Sequence, residues 1–155
     1  MTRIYPGDLI AVFSNGRYYY ALILDKVRFF GGNWVYVLHE TSLELLSPDQ
    51  VLATQCSGFH ALVDFIWAKR EGRLLRVATK IDVEPYNSVR RLKDTHHFTG
   101  KAPLWFIYDM DFQEVKRVAE LDEEEKAYPL LVRIDDTIMA EWVEQQWEPD
   151  KDQRI

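Results

Sequence analysis

A chain of 155 residues that is 47% apolar and 14% aromatic is long enough to bury a single substantial core. That composition excludes disorder, which needs low hydrophobicity to leave chain entropy unopposed. The net charge of −6, from 25 acids against 19 bases, disfavours nonspecific binding to nucleic acid or an anionic membrane and suits a basic protein partner better. Cys56 is the only cysteine, so no internal disulfide forms. The N-terminal residues hold no apolar stretch of signal-peptide length before Pro6 and Asp8. The longest purely apolar run, Tyr18 to Leu24, falls far short of the ~20 residues that span a bilayer. The expected location is therefore the cytoplasm, with no membrane contact.

The first element is a β-hairpin. Gly7-Asp8-Leu9-Ile10-Ala11-Val12-Phe13 and Tyr18 to Leu24 flank Asn15-Gly16, a pair tolerant of the left-handed backbone that a tight primed turn demands. Arg17 to Asp25 is apolar at nearly every position, which predicts burial on both faces, or one core face and one aromatic contact face carrying Tyr18 and Tyr20. Phe29-Phe30-Gly31-Gly32-Asn33 marks a second turn, and Trp34 to His39 a third strand. This meander predicts an SH3-like or strongly twisted sheet.

Ser47-Pro48-Asp49-Gln50 matches a capping box with Pro at the first helical position, and Leu46 and Val51 stand where a hydrophobic staple places them. A short helix from Pro48 to about Thr54 follows, with Gly58 barring its continuation. Phe59 to Ala68 is ambiguous between helix and strand. The Glu71-Gly72-Arg73 turn and the strand-like Leu74 to Ile81 favour a second hairpin. Glu84 to Pro103 reads as a long surface connection carrying the basic Arg90, Arg91 and Lys93, with Lys101 nearby.

Leu104 to Tyr108, a turn at Asp109-Met110-Asp111, and Phe112 to Val118 predict a third hairpin. The acidic run Leu121-Asp122-Glu123-Glu124-Glu125 precedes Pro129 and a last strand, Leu130 to Ile134. Near 137–147 an amphipathic helix places Ile138, Met139, Trp142, Val143 and Trp147 on one side. An Asp or Thr stands ready to cap it, and Pro149 stops it. The expectation is one α+β domain, mainly antiparallel β.

Catalytic chemistry finds little footing. His96 and His97 are adjacent, so on a strand they face opposite ways and cannot chelate one ion, and no third ligand lies at useful spacing. His39 and His60 sit alone in apolar runs. Cys56 has His60 four residues on, but Gly58 intervenes and no third member presents itself. Asp109 and Asp111 fit turn chemistry. Gly31-Gly32 lacks the spacing and following helix of a phosphate loop. No cofactor, metal or enzymatic activity is expected. The basic loop reads as solvated, and the acidic run, Asp122 to Glu125, as a solvated helix start or loop that an immunity or inhibitor protein would also use to meet a basic partner.

Gly7-Asp8-Leu9-Ile10-Ala11-Val12, then Asn15-Gly16-Arg17-Tyr18, then Ala21 leading into Leu22-Ile23-Leu24, resembles the start of the immunity protein 26 family. Leu104 to Tyr108 with its turn and the Val115-Lys116-Arg117-Val118 exit fits the family's second half loosely. Phe13-Ser14 stands where the family commonly has a proline, and Tyr18-Tyr19-Tyr20 is heavier than usual. The resemblance implies a small β-rich protein of bacterial polymorphic toxin systems that binds and silences a cognate toxin domain. The expected contacts are Asp122, Glu123, Glu124 and Glu125, with Tyr18 and Tyr20. The alternative is an SH3-like protein- or RNA-interaction module using the Tyr18/Tyr20 face and the Arg90-Arg91-Lys93 loop. A dimer is open to the chain, with an exposed edge of the first hairpin as its seam.

Overall fold

The computed structural model describes residues 2–27, 31–53, 57–96, 102 and 104–155. Among these the chain forms β1 (Leu9–Ser14), β2 (Arg17–Val27), β3 (Gly32–Ser42), α1 (Pro48–Ala53), β4 (Gly58–Asp64), α2 (Ile66–Arg70) and β5 (Leu74–Ala78). There follow β6 (Leu92–His96), β7 (Leu104–Tyr108), β8 (Glu114–Val118), α3 (Glu123–Lys126), β9 (Arg133–Asp135) and α4 (Asp136–Glu144). The fold is α+β, with mostly antiparallel strands. No described helix is long and apolar enough to cross a membrane.

The opening hairpin forms as its sequence demands and pairs with β3, while Phe29 and Phe30 of the expected second turn lie outside the described residues. Ser14 pairs with Arg17 and Leu9 with Leu22 across β1 and β2, and Asn15 and Gly16 carry φ values of 51° and 77°, the turn of which a β-branched residue is incapable without strain. The large sheet has the order β5-β1-β2-β3-β4-β9, and β6-β7-β8 form a smaller one. The first five strands run β5-β1-β2-β3-β4, and β4 is flanked on its far side by a parallel β9.

β2 is buried on both faces, which explains its unbroken apolar run. Tyr19, Ala21 and Ile23 join Val35, Val37, Phe59 and Val63 beneath α4, which contributes Met139, Ala140 and Val143. Burying each of the larger of these side chains stabilises by about 1.5–3 kcal/mol. On the other face Tyr20 packs with Val51 of α1, while Leu22, Leu24 and Trp34 meet Leu92 of the smaller sheet. Gly58 starts β4 because a side chain there would run into the Val37 carbonyl and the Tyr36 ring.

Several expectations are corrected. β4 and β5 are not a hairpin: β4 pairs with β3 and β9, and β5 with β1. Asp64 ends the strand, its carboxylate accepting the Ile66 N–H at 3.0 Å, and α2 carries the chain across to the opposite edge. The presumed loop 84–103 contains β6, and the strand read at Leu130 to Ile134 is displaced to Arg133–Asp135. β1 lies between β5 and β2, so the first hairpin offers no free edge for a dimer seam.

The capping box at Ser47 is present, its hydroxyl accepting from Gln50 N–H at 3.3 Å and Gln50 Oε1 from Ser47 N–H at 2.8 Å. Asp135 caps α4, accepting from the Ile138 N–H at 2.9 Å. That helix ends before Trp147 because Gln146 turns left-handed at φ 52°, and the Trp147 N–H returns to the Trp142 carbonyl at 2.9 Å. The reversal stacks the two indoles, 4.0 Å between centroids. Ile138 is exposed, since it lies about 100° around the helix from Met139, and Ala140 takes its place in the core.

Candidate protein-binding groove

The residues singled out from sequence are scattered. Asp122 caps α3, accepting from Glu125 N–H at 2.8 Å, and Glu125 reaches back to Asp122 N–H at 3.0 Å. Glu125 is buried and ion-paired with Lys116, so it is withdrawn from any partner. Glu123 holds Lys126 at 2.6 Å, and Glu124 accepts from the Tyr128 hydroxyl at 3.2 Å. Three acids in a first helical turn complement its dipole, which accounts for the run without a ligand.

Tyr18 is half-buried against Phe13, 5.0 Å between centroids. Tyr20 is fully buried, its hydroxyl shared with Ser42 at 2.6 Å and accepting from Leu46 N–H at 3.0 Å. The expected aromatic contact face is therefore core, covered by α1.

Lys93 is also withdrawn. Its side chain is buried, with Nζ donating to the Pro149 carbonyl at 2.8 Å and to the Lys126 carbonyl at the end of α3. Burial pulls its pKa down to about 8, against the opposing pull of Asp152 and Asp150. Arg90 and Arg91 remain on the wall of a cleft of about 530 Å³ that also meets Glu124 and Tyr128. Lys101, His97 and Cys56 lie outside the described residues.

His60 stacks on Trp34 at 5.3 Å, and its Nε2 lies 2.7 Å from the Tyr86 carbonyl, with burial lowering its pKa. His39 bridges Ser57 Oγ and the Trp147 carbonyl, each at 2.8 Å. Asp109 accepts from the Asp111 and Gln113 N–H groups, as turn chemistry requires. Among the described residues no group of three or more His, Cys, Asp or Glu is gathered to hold a metal ion.

A different place combines exposed aromatic area with a rigid frame. The β1–β2 turn, α2 and the start of α4 enclose a groove of about 430 Å³ lined by Phe13, Asn15, Trp67, Glu71, Arg73, Asp135 and Thr137, among others. Trp67 is 55% exposed and Phe13 39%. Trp34 and Trp105, by contrast, are buried. α2 is too short to bury more than Ala68, so its opposite side, with Trp67, faces out. The Arg70 guanidinium lies over the Trp67 ring, 5.4 Å from its centroid.

Arg73 ties the walls together. Its Nη1 donates to the Phe13 carbonyl at 3.0 Å and to Asp136 at 2.8 Å, and its Nε to Glu71 at 2.6 Å. Asp136 is 1% exposed, so this ion pair is partly sequestered from water. Burial works against the Arg73 charge, but the hydrogen bonds to Asp136 and Glu71 outweigh it and raise the pKa. Sequence reasoning passed over Trp67 because it fell within a stretch ambiguous between helix and strand, where its side could not be assigned. Asp135 and Asp136 registered only as helix-capping candidates.

No protein family, curated protein or solved structure matches this chain.

Proposed function

We propose that this chain is a non-enzymatic binding protein of the immunity type, which neutralises a cognate bacterial toxin by docking on it through the groove of the β1–β2 turn, α2 and α4. The observation that carries the reading is Trp67, 55% exposed on a groove wall, whereas Trp34 and Trp105 are buried and Trp142 and Trp147 stack on each other. Trp is enriched among the residues that dominate interface energies, and a rigid, ion-paired frame lowers the ordering cost of association. Neutralisation by occlusion requires no reacting group on this chain. The solvent-facing Asp122, Glu123 and Glu124 add to a net negative field that speeds encounter with a basic toxin. The resemblance of residues 7–24 to immunity proteins points the same way. The RNA-binding alternative loses support because Tyr20 and Lys93, which it needs at the surface, are buried.

The test is co-expression survival. The C-terminal domain of the large open reading frame beside this gene is induced in a heterologous host, with and without this chain. Wild-type protein restores colonies in proportion to its amount, and Trp67→Ala loses that rescue at equal soluble expression. Undiminished rescue by Trp67→Ala would reject the groove as the docking site.

A further inference from the structure

We infer, on the premise that this groove is the docking site, that it receives a guanidinium side chain of the partner, seated over Trp67 and held by the carboxylates of Glu71 and Asp135. The charge count at the groove comes first. Among the described residues the lining holds Glu71, Asp135 and Asp136 against one cation, Arg73, with Arg70 beside the groove over Trp67. Arg73 cannot serve an incoming anion well, because its Nε and Nη1 are already committed to Glu71, Asp136 and the Phe13 carbonyl. Asp136 is spent in the same way, buried against Arg73.

Acceptor capacity remains on the other two acids. Asp135 uses Oδ1 to cap α4 and Glu71 uses Oε2 on Arg73, which leaves Oδ2 and Oε1 without a hydrogen bond among the described residues. Glu71 is more than half exposed, so its free oxygen is reachable. One face of the Trp67 ring is taken by Arg70, 5.4 Å from its centroid, so an incoming guanidinium would stack on the other face. A planar guanidinium can stack on the indole while donating to two carboxylates, which an ammonium does less well. An apolar side chain would strip water from these oxygens and give nothing back. An acidic side chain would meet like charge.

Hexa-arginine and hexa-glutamate peptides are the probes, each titrated into ¹⁵N-labelled full-length protein at low salt. Hexa-arginine is expected to shift the Trp67 indole N–H and the Ser14, Asn15 and Thr137 amides saturably, and hexa-glutamate to leave them in place. Glu71→Gln with Asp135→Asn keeps the hydrogen bonds and the cap but removes the charge, and should weaken hexa-arginine binding about tenfold. Removing the charges at Asp122, Glu123 and Glu124 should change it less than about twofold.

The inference is overturned if hexa-glutamate moves the same resonances, or if hexa-arginine binds elsewhere and ignores the double variant. Loss of toxin rescue in Trp67→Ala with no hexa-arginine binding at the groove would keep the docking reading and reject this one. Groove binding of hexa-arginine with rescue intact in Trp67→Ala would reject the docking reading and, with it, the assignment of the guanidinium to the toxin, leaving only a guanidinium-binding groove.

Discussion

Replacing Lys93 by Met should remove most of the alkaline rise in this protein's stability. The ammonium is fully buried on β6, and burial lowers its pKa from 10.5 to about 8. Between those values the unfolded chain holds a proton that the folded chain has released, so stability increases as pH climbs through this window. Below pH 8 the folded state carries the whole cost of the buried charge. Taking the two pKa values through the linkage relation, wild-type protein should gain about 2 kcal/mol between pH 7 and pH 9.5.

With a urea slope near 2 kcal/mol/M, that is an upward shift of the midpoint by about 1 M. Tyr19, whose pKa burial and Glu144 raise to about 12, acts in the opposite sense above pH 10. It takes back only about 0.2 kcal/mol at pH 9.5 and does so in both proteins. Lys93→Met should therefore show a much smaller alkaline rise, the remainder coming from Lys69, whose pKa burial also lowers. Its stability at pH 7 is a poorer guide, because the Pro149 and Lys126 carbonyls lose a donor at about 1–3 kcal/mol each while the charge cost disappears. Equal alkaline rises in the two proteins would refute the claim that Lys93 is held charged at a cost.

Arg73→Met strands the buried Asp136 carboxylate and should destabilise by about 3–5 kcal/mol in urea unfolding, whereas the double variant Arg73→Met/Asp136→Leu should recover much of that loss. Additive losses would mean the pair is not coupled. His60, whose pKa burial lowers, contributes stability that is present above 6.5 and is lost as the pH falls below it, because the unfolded chain protonates first. Melting temperatures at pH 7.5 and 5 should diverge less in His60→Gln than in wild-type protein. Ser47→Ala removes the acceptor for Gln50 N–H and should cost about 1 kcal/mol, read as a lower midpoint with unchanged slope.

The features legible in the sequence are those with local causes. Asn15-Gly16, the Ser47 capping box and the capped α4 each rest on residues within a turn of one another, so composition and spacing identify them. Strand partnership has no such local mark. Leu74 to Ala78 looks alike whether it pairs with β4 or with β1, and the choice falls to α2, whose five residues carry too weak a period to be recognised. β6 was hidden for a sharper reason. Its buried center is Lys93, and a lysine in Arg90-Arg91-Leu92-Lys93 signals solvent unless the carbonyls that satisfy it, 33 and 56 residues away, are known.

The same physics concealed the groove. Arg73 and Asp136 stand 63 residues apart, yet their ion pair fixes the start of α4 against the end of β1. Their union leaves Trp67 on a rigid wall beside the free oxygens of Glu71 and Asp135. Runs of one charge point to α3, where the carboxylates satisfy their own helix, Lys126, Tyr128 and Lys116 of β8. Recognition capacity instead lies where a fold holds an aromatic ring and incompletely satisfied acids together from separate segments. In this chain the place we propose is the groove, where the leftover acceptors of Glu71 and Asp135, and not the longest acidic run, would set the chemistry.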